Sequence, residues 1–548
     1  MFHVKQNTKL ILGNIVDLFS RRIFYGEIKI NGFRIDWIRK KNNKENVPYI
    51  VPGFIDSHVH IESSMLSPDG FAYLAVKNGT VATVSDPHEI ANVLGLEGVE
   101  LMIDNGKKSG FKFFFGAPSC VPATNIEQSG AVLNSEKIEK LINREDIYLL
   151  SEMMNYPGVI NRDEDVCKKL GSALKAGKRI DGHAPGLSGD LLKIYCKAGI
   201  TTDHECSSLK EAKEKIRNGM MIQIREGSAA RNFNELFPLI LEFPEKLMFC
   251  TDDLHPDDLA LGHINKMVKR AVSKGADLFD VLTIASLNPV MHYKLPVGLL
   301  REGDPADFIM VDNLDSFNVI ATFINGNLVY QKNFNAINRS TVERKNSIFA
   351  SPVALEELIV PERGKYIRVI EAIDGELITR TLKLKAKTDQ GIVVPDLKDD
   401  VLKIVLKNRY ANEKPVVGFI KGFGLRDAAI ASSIAHDSHH VLAVGTHDDL
   451  LVMAINKVIE TGGGIVVQGR NKELTMPLPV AGLMSDDDPY KVADTYRNLD
   501  ALAKDLGSPM KAPLMTLSFM ALLVIPELKI CDKGLFDGNS FAIVPLFI

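Results

Sequence analysis

His58 and His60 stand one residue apart in the run VPGFIDSHVHIESSM, Val51 to Met65. Side chains two apart on a strand point to the same side, so both imidazoles share one environment, a polar core or a metal. Other apolar runs also end in polar residues. These are Asp86-Pro87-His88-Glu89, Glu152 in IYLLSEMMN, His183 in RIDGHAPG, His204-Glu205 in GITTDHEC, and Asp252, Asp253 and His255 in LMFCTDDLHP. One buried histidine is usually a hydrogen-bonded core residue. Four of them, with carboxylates, would each need a separate buried partner. A divalent metal supplies a common partner through neutral imidazoles and ionised carboxylates. As a set, His58, His60, His183 and His204 therefore read as metal ligands.

The carboxylates differ in what they suggest. Glu152 lies in an apolar strand, where an unpaired glutamate is costly. It is expected to bridge two metals, with a salt bridge to an arginine as the alternative. Asp252 ends its strand and is expected to ligate a metal while exchanging protons with bound water; capping a turn or helix in DDLHPDD is its bland role. In DPHE, Asp86 can cap a helix, Pro87 suits the first helical position and Glu89 completes a capping box. Capping explains Asp86 well, Glu89 in part and His88 not at all, so function and capping both stay open there.

Such residues need a scaffold that gathers strand ends. Eight candidate strands fall at 52–60, 80–85, 112–117, 147–153, 179–183, 200–204, 219–224 and 247–251, with helical stretches such as KIEKLINRE and SLKEAKEKIRNG between them. Strands separated by helices imply a parallel sheet, and eight of them match a (β/α)8 barrel, whose active site lies at the C-terminal strand ends. A doubly wound open sheet is the second choice. No GxGxxG or GxxxxGK[ST] is present to hold nucleotide phosphates. β-rich flanks at 1–51 and 298–345, with turn signals such as Asn325-Gly326, are expected to form one small β-sandwich domain around a barrel at 52–297. Residues 346–365 read as a linker and 366–548 as a C-terminal α/β or α+β domain.

The bulk numbers narrow the class. At 548 residues two or three domains are expected, and a net charge of −4 with pI near 6.4 leaves no electrostatic footprint for nucleic acid. The basic run RKKNNKEN, Arg39 to Asn46, reads as a solvated loop. Six cysteines form no CxxC pair, which disfavours a thiolate zinc site and suits free thiols in a reducing cytoplasm. The N-terminus lacks a secretory pattern, and the longest apolar run, Leu514 to Pro526, is too short to span a bilayer. Localisation is expected to be cytoplasmic, with no membrane partner.

The motifs together go further. PGFIDSHVHIESSM, DPHEIANVLG, EMMNYPGVI, DGHAPGLSG, TTDHE, REGSAARN and CTDDLHPDDL resemble the bacterial adenine deaminases of the amidohydrolase superfamily, in order along the barrel. GLLREGDPADFIMVD and the C-terminal GFGL and AHDSHH continue the resemblance. It implies a binuclear divalent-metal centre, manganese first and iron second, and conversion of adenine and water to hypoxanthine and ammonia. By position, His58 and His60 would bind one metal and His183 and His204 the other. Glu152 would bridge them in place of the carboxylated lysine of relatives that open cyclic amides, and Asp252 would be the last-strand aspartate. A shared hydroxide would attack C6, Asp252 would carry its proton to the amine, and Asp86, His88 and Glu89 would contact the purine, His88 or Glu89 assisting proton transfer. Two positions depart from the pattern: Ser151 where glycine is expected and His440 where asparagine is expected. A homo-oligomer, dimer or larger, is expected by resemblance alone.

Two other functions compete: a cyclic amide or imide hydrolase of the same superfamily, and a catalytically dead barrel kept for assembly. The missing strand-four lysine opposes the first, the intact ligand set the second. His436, His439, His440 and His447 cluster around HHVLAVGTH. A polar strand-and-turn surface is expected there, with an additional metal site or a neighbouring subunit's active-site wall as the sharper alternative.

Overall fold

The apolar strands of the middle segment are buried on both faces, as a parallel sheet covered by helices requires. In the structure, a computed structural model that describes residues 8–42, 47–345 and 347–548, they form a closed ring. Its strands are β1 (Phe54–Val59), β2 (Thr80–Ser85), β3 (Lys112–Ala117), β4 (Leu149–Met153), β5 (Arg179–Gly182), β6 (Thr202–Asp203), β7 (Met221–Arg225) and β8 (Leu247–Cys250). β1 to β5 pair in parallel as one sheet and β6 to β8 as another. Parallel bridges between Ile180 and Ile200 and between Val59 and Asp252 join the two sheets into the barrel. The helices outside show why these residues fold so. In Glu164–Lys175, Asp163 accepts from the Val166 amide at the N-cap, and Val166, Leu170 and Ala173 form the buried stripe.

The chain divides into two units. The first comprises Met1–Pro87, Met102–Ser119 and Asn134–Thr341; the second comprises His88–Leu101, Cys120–Leu133 and Val342–Ile548. Besides the barrel, the first unit holds one eight-stranded sheet built from both flanks. Tyr49–Pro52 pairs with Thr8–Asp17 on one side and Phe308–Val311 on the other, joining the N-terminal hairpins to the later strands. Ile35 near one edge and Phe323 near the other share a core with Ile15, Ile28, Ile50 and Phe308, so the sheet closes over its own apolar face. Asn325 and Gly326 turn the chain with φ of 49° and 72°, the left-handed pair an Asn-Gly hairpin needs.

The second unit is a mixed domain around another eight-stranded sheet, mostly antiparallel, with helix Asp448–Glu460 on one face. Three expectations change here. Residues 88–101 and 120–133, placed in the barrel by sequence, group with this unit. Residues 346–365 are no free linker: Ile348, Ala350, Val353 and Leu358 are buried in the same core as Leu451 and Ile455. The loop expected to begin at Arg39 begins later, because Arg39 and Lys40 end the strand Arg34–Lys40; positions 43–46 of that stretch lie outside the described residues. The apolar run Leu514 to Pro526 is a short buried helix, Pro513–Ser518, and a further turn; among the described residues no helix is long and apolar enough to cross a membrane.

Candidate metal centre

The strand ends converge. His58 and His60 leave β1, Glu152 sits within β4, His183 follows β5, His204 follows β6 and Asp252 follows β8. Glu152 lies among all four imidazoles and divides its oxygens between them. His60 Nε2 is 3.4 Å from Oε1, while His183 Nδ1 and His204 Nε2 are 2.9 and 3.2 Å from Oε2, with His58 Nε2 at 4.0 Å. Asp252 Oδ1 closes the His58 side, 3.5 Å from His58 Nε2 and 3.0 Å from His60 Nε2. Two overlapping donor groups result, His58, His204 and Asp252 in one and Glu152, His183 and His204 in the other, each with its donor atoms within 4.8 Å of one another.

The donor set suits divalent metal. His60 Nδ1 lies 3.1 Å from the Asp86 carbonyl, an acceptor only, so that nitrogen carries the proton and Nε2 turns a lone pair to the centre. His58 Nε2 is buried and makes no hydrogen bond. The charges agree. Burial alone would raise Glu152, but His183 and His204 hold it well below the ordinary carboxylate range. Burial would lower His183, but Glu152 and Glu205 raise it to about 9. The site as built calls for positive charge, which a divalent ion supplies. Thiolates are absent from it, so the ligands are of the imidazole and carboxylate type that zinc, iron, nickel and manganese accept.

Backbone and supporting side chains fix this geometry. Asp252 has φ of 57°, a left-handed conformation that a non-glycine residue keeps only where surroundings hold it. Here its amide donates to the His58 carbonyl at 2.9 Å and its carbonyl accepts from the His60 amide at 3.1 Å, which locks β8 onto β1. Asp203 grips the next pair of ligands, accepting from the amides of Ala184 and Glu205, the residues after His183 and His204. Fully buried Lys215 neutralises Asp203 at 3.1 Å. Ser63, in the segment after the first two histidines, donates to Asp253 Oδ1 at 2.5 Å, so that segment braces the β8 end.

Sequence reasoning gave no β7 residue a role, although REGSAARN begins at Arg225, and this last residue of β7 lies against the candidate centre. Its guanidinium contacts Asp252 Oδ2 at 2.6 Å and pairs with Glu205. Burial would raise both carboxyls; Arg225 holds Asp252 well below the usual range and lowers Glu205. A charged residue closing the apolar strand MIQIR was the available signal. The DPHE residues separate in role. The Asp86 carbonyl receives His60 in the first unit, whereas His88 and Glu89 open the helix His88–Leu94 of the second. Glu89 does not complete a capping box, because both its oxygens meet imidazoles of His436 and His439. These histidines and His440 are buried, which overturns the expected polar surface; only His447 is partly exposed. His440, standing where asparagine was expected, accepts from the Arg409 amide through Nδ1 at 3.3 Å.

Comparison with known proteins agrees with this architecture. A model of the amidohydrolase family matches residues 49–329, and a model of the adenine deaminase C-terminal domain matches residues 376–542. The chain is 52% identical to an adenine deaminase of Methanosarcina acetivorans, over 98% of this chain and 99% of that one. It is 48% identical to an adenine deaminase of Parabacteroides distasonis over 99% of both chains. It is also 48% identical to one of Borreliella burgdorferi, over 97% of this chain and 99% of the relative.

Proposed function

The chain belongs to the adenine deaminase family of amidohydrolases, and we propose from that membership that it hydrolyses adenine to hypoxanthine and ammonia. The observation that carries this reading is full-length similarity to adenine deaminases together with a glutamate, Glu152, at the β4 position. Ring-opening relatives need a carboxylated lysine there by resemblance, and β4 is LLSEM. His58, His60, Glu152, His183, His204 and Asp252 would hold a binuclear centre, manganese in preference to iron. Bound there, a divalent metal lowers the pKa of water from about 15.7 to about 7 and so supplies the nucleophile.

The chain's own residues handle the protons and the ring. Asp252 takes a proton from the nucleophile and delivers it to the departing amine, which leaves as ammonia. Arg225 keeps Asp252 ionised and so ready to accept. Asp86, His88 and Glu89 contact the purine. Glu89, with both oxygens on imidazoles, serves as an acceptor, which leaves proton delivery to the ring nitrogen with His88. Six free cysteines support a reducing, cytoplasmic setting, and a homo-oligomer is proposed by family resemblance.

The test follows ultraviolet absorbance on adenine with and without added manganese. Manganese-dependent loss of adenine with release of ammonia is expected. Ring opening of dihydrouracil in place of that change would transfer the chain to the cyclic amide hydrolases.

A further inference from the structure

The strand β1 carries one residue more than its neighbour matches. Asp56 pairs with Thr83 and Val59 with Ser85, so three steps along β1 correspond to two along β2. An extra residue of this kind is a bulge, which bends a strand and re-aims a side chain. His58 lies inside it. Asp56 holds the bulge, because its Oδ1 accepts from the His58 amide at 3.3 Å, a local bond of the kind that stabilises turns. The same oxygen accepts from the Thr251 amide at 3.1 Å, and Oδ2 accepts from Thr251 Oγ1. Thr251 directly precedes Asp252. One buried carboxylate therefore fixes the backbone beside two of the expected metal ligands.

The remaining partner of Asp56 comes from outside the barrel strands. His263 Nε2 lies 2.8 Å from Asp56 Oδ2, and its Nδ1 lies 2.6 Å from Thr80 Oγ1 at the start of β2. Donors meet both oxygens of Asp56, so it acts as an acceptor. His263 then carries its proton on Nε2 and accepts the Thr80 hydroxyl at Nδ1. His263 stands at the N-cap of the helix Ile264–Ser273, and Phe71 meets its ring edge-on at 5.5 Å. Asp56 and His263 are both buried, yet the His263 ring also lines a cavity of about 230 Å³ with Thr251, Leu254, Lys266 and Met267. All these residues belong to the first unit. Burying a carboxylate is costly, and helix packing alone would be met by apolar residues at 56 and 263.

We infer that Asp56 and His263 are positioning residues for the metal centre, holding the bulge that aims His58 and the turn that presents Asp252. The inference rests on the reading that His58 and Asp252 hold metal for deamination. Asp203 serves the residues after His183 and His204 in the same manner, with Lys215 as its neutralising partner. Each half of the expected ligand set thus has its own buried aspartate, and His263 supports the first as Lys215 supports the second. Ligands whose backbone is loosened bind metal more weakly, even though the ligand side chains are unchanged.

The experiment uses the full chain, stripped of metal by chelation and titrated with manganese. Wild type is compared with His263→Ala, His263→Gln, His263→Phe, Asp56→Asn and the double variant Asp56→Asn/His263→Ala. Circular dichroism checks folding, elemental analysis counts bound manganese, and adenine turnover is followed at each manganese concentration. In His263→Ala the manganese concentration for half-maximal turnover should rise about tenfold or more. His263→Gln returns an N–H to Asp56 and should recover most of that loss. His263→Phe fills the volume without an N–H and should not. Free imidazole, entering through the cavity, should restore His263→Ala while leaving wild type unchanged. Asp56→Asn should weaken manganese binding at least as much, and adding His263→Ala to it should cost no more, since both changes break one device. An unmoved manganese dependence in His263→Ala would overturn the inference. So would equal loss in His263→Gln and His263→Phe, additive losses in the double variant, or an equal response of wild type to imidazole. Where His263→Ala does not fold, the His263→Gln and His263→Phe pair decides. Wild-type protein that binds no manganese or leaves adenine unchanged would defeat the proposed activity, a separate result.

Discussion

Glu152 turns its two oxygens to different imidazoles, and the centre depends on that division. Glu152→Gln keeps the shape but replaces one charged acceptor with an amide donor. Loss of bound metal and of deamination together is expected by elemental analysis and adenine assay; a variant that keeps both would remove Glu152 from the bridging role. Asp252 is a different case, since His58, His60, Glu152, His183 and His204 remain when it is neutralised. In Asp252→Asn, metal should be partly retained while kcat falls by about 100-fold or more, the scale of a lost proton-transfer group. Near-normal kcat would take Asp252 out of proton transfer. These residues stood out in the sequence because each lies at or next to the end of an apolar strand, and strand ends meet in a barrel whatever their separation along the chain. His436 and His439 carried no such signal. Their carboxylate partner is 347 and 350 residues away, and no periodicity encodes that contact.

At the scale of elements, period and punctuation carried most of the information. All eight barrel strands fell within two or three residues of their expected bounds, because each is an apolar run between helices. The strand Leu528–Cys531 shows what pattern does not reveal. Its Lys529 points inward, fully buried, donating to the Leu377 carbonyl at 2.8 Å and the Phe519 carbonyl at 3.2 Å. Burial without a carboxylate lowers it to about 7. In the unfolded chain the same lysine stays charged up to about pH 10.4. Between those values the unfolded state binds more protons, so this residue makes stability rise with pH from about 7 to about 10.4. Denaturant midpoints measured across that window should climb more steeply in the wild type than in Lys529→Met, a near-isosteric change that removes the titration. Parallel curves would mean that Lys529 keeps an ordinary pKa in the fold.

For the whole molecule, the order of the chain and the order of the fold disagree, and no motif announced it. Segments 88–101 and 120–133 interrupt the barrel sequence yet belong to the unit completed by residues after 341. Their packing shows the dependence. Ile126 lies against Leu523, Cys531 and Phe536, the Gln128 side chain accepts from Asn408, and Glu89 is held by His436 and His439. A chain ended after Thr341 keeps every expected metal ligand but leaves these segments without their apolar core and Glu89 buried among partners that no longer exist. Exposed apolar segments of this kind promote association, and a buried carboxylate left without its donors is costly. The 1–341 fragment should therefore aggregate or elute as a broad species on size exclusion, with adenine turnover reduced at least about 100-fold even when manganese is supplied. A monodisperse fragment with full turnover would show that the C-terminal unit is dispensable for deamination. Partial solubility with intact metal binding but lost turnover is the outcome that would separate holding the metal, the expected task of the barrel strands, from a further need for residues that only the complete chain supplies.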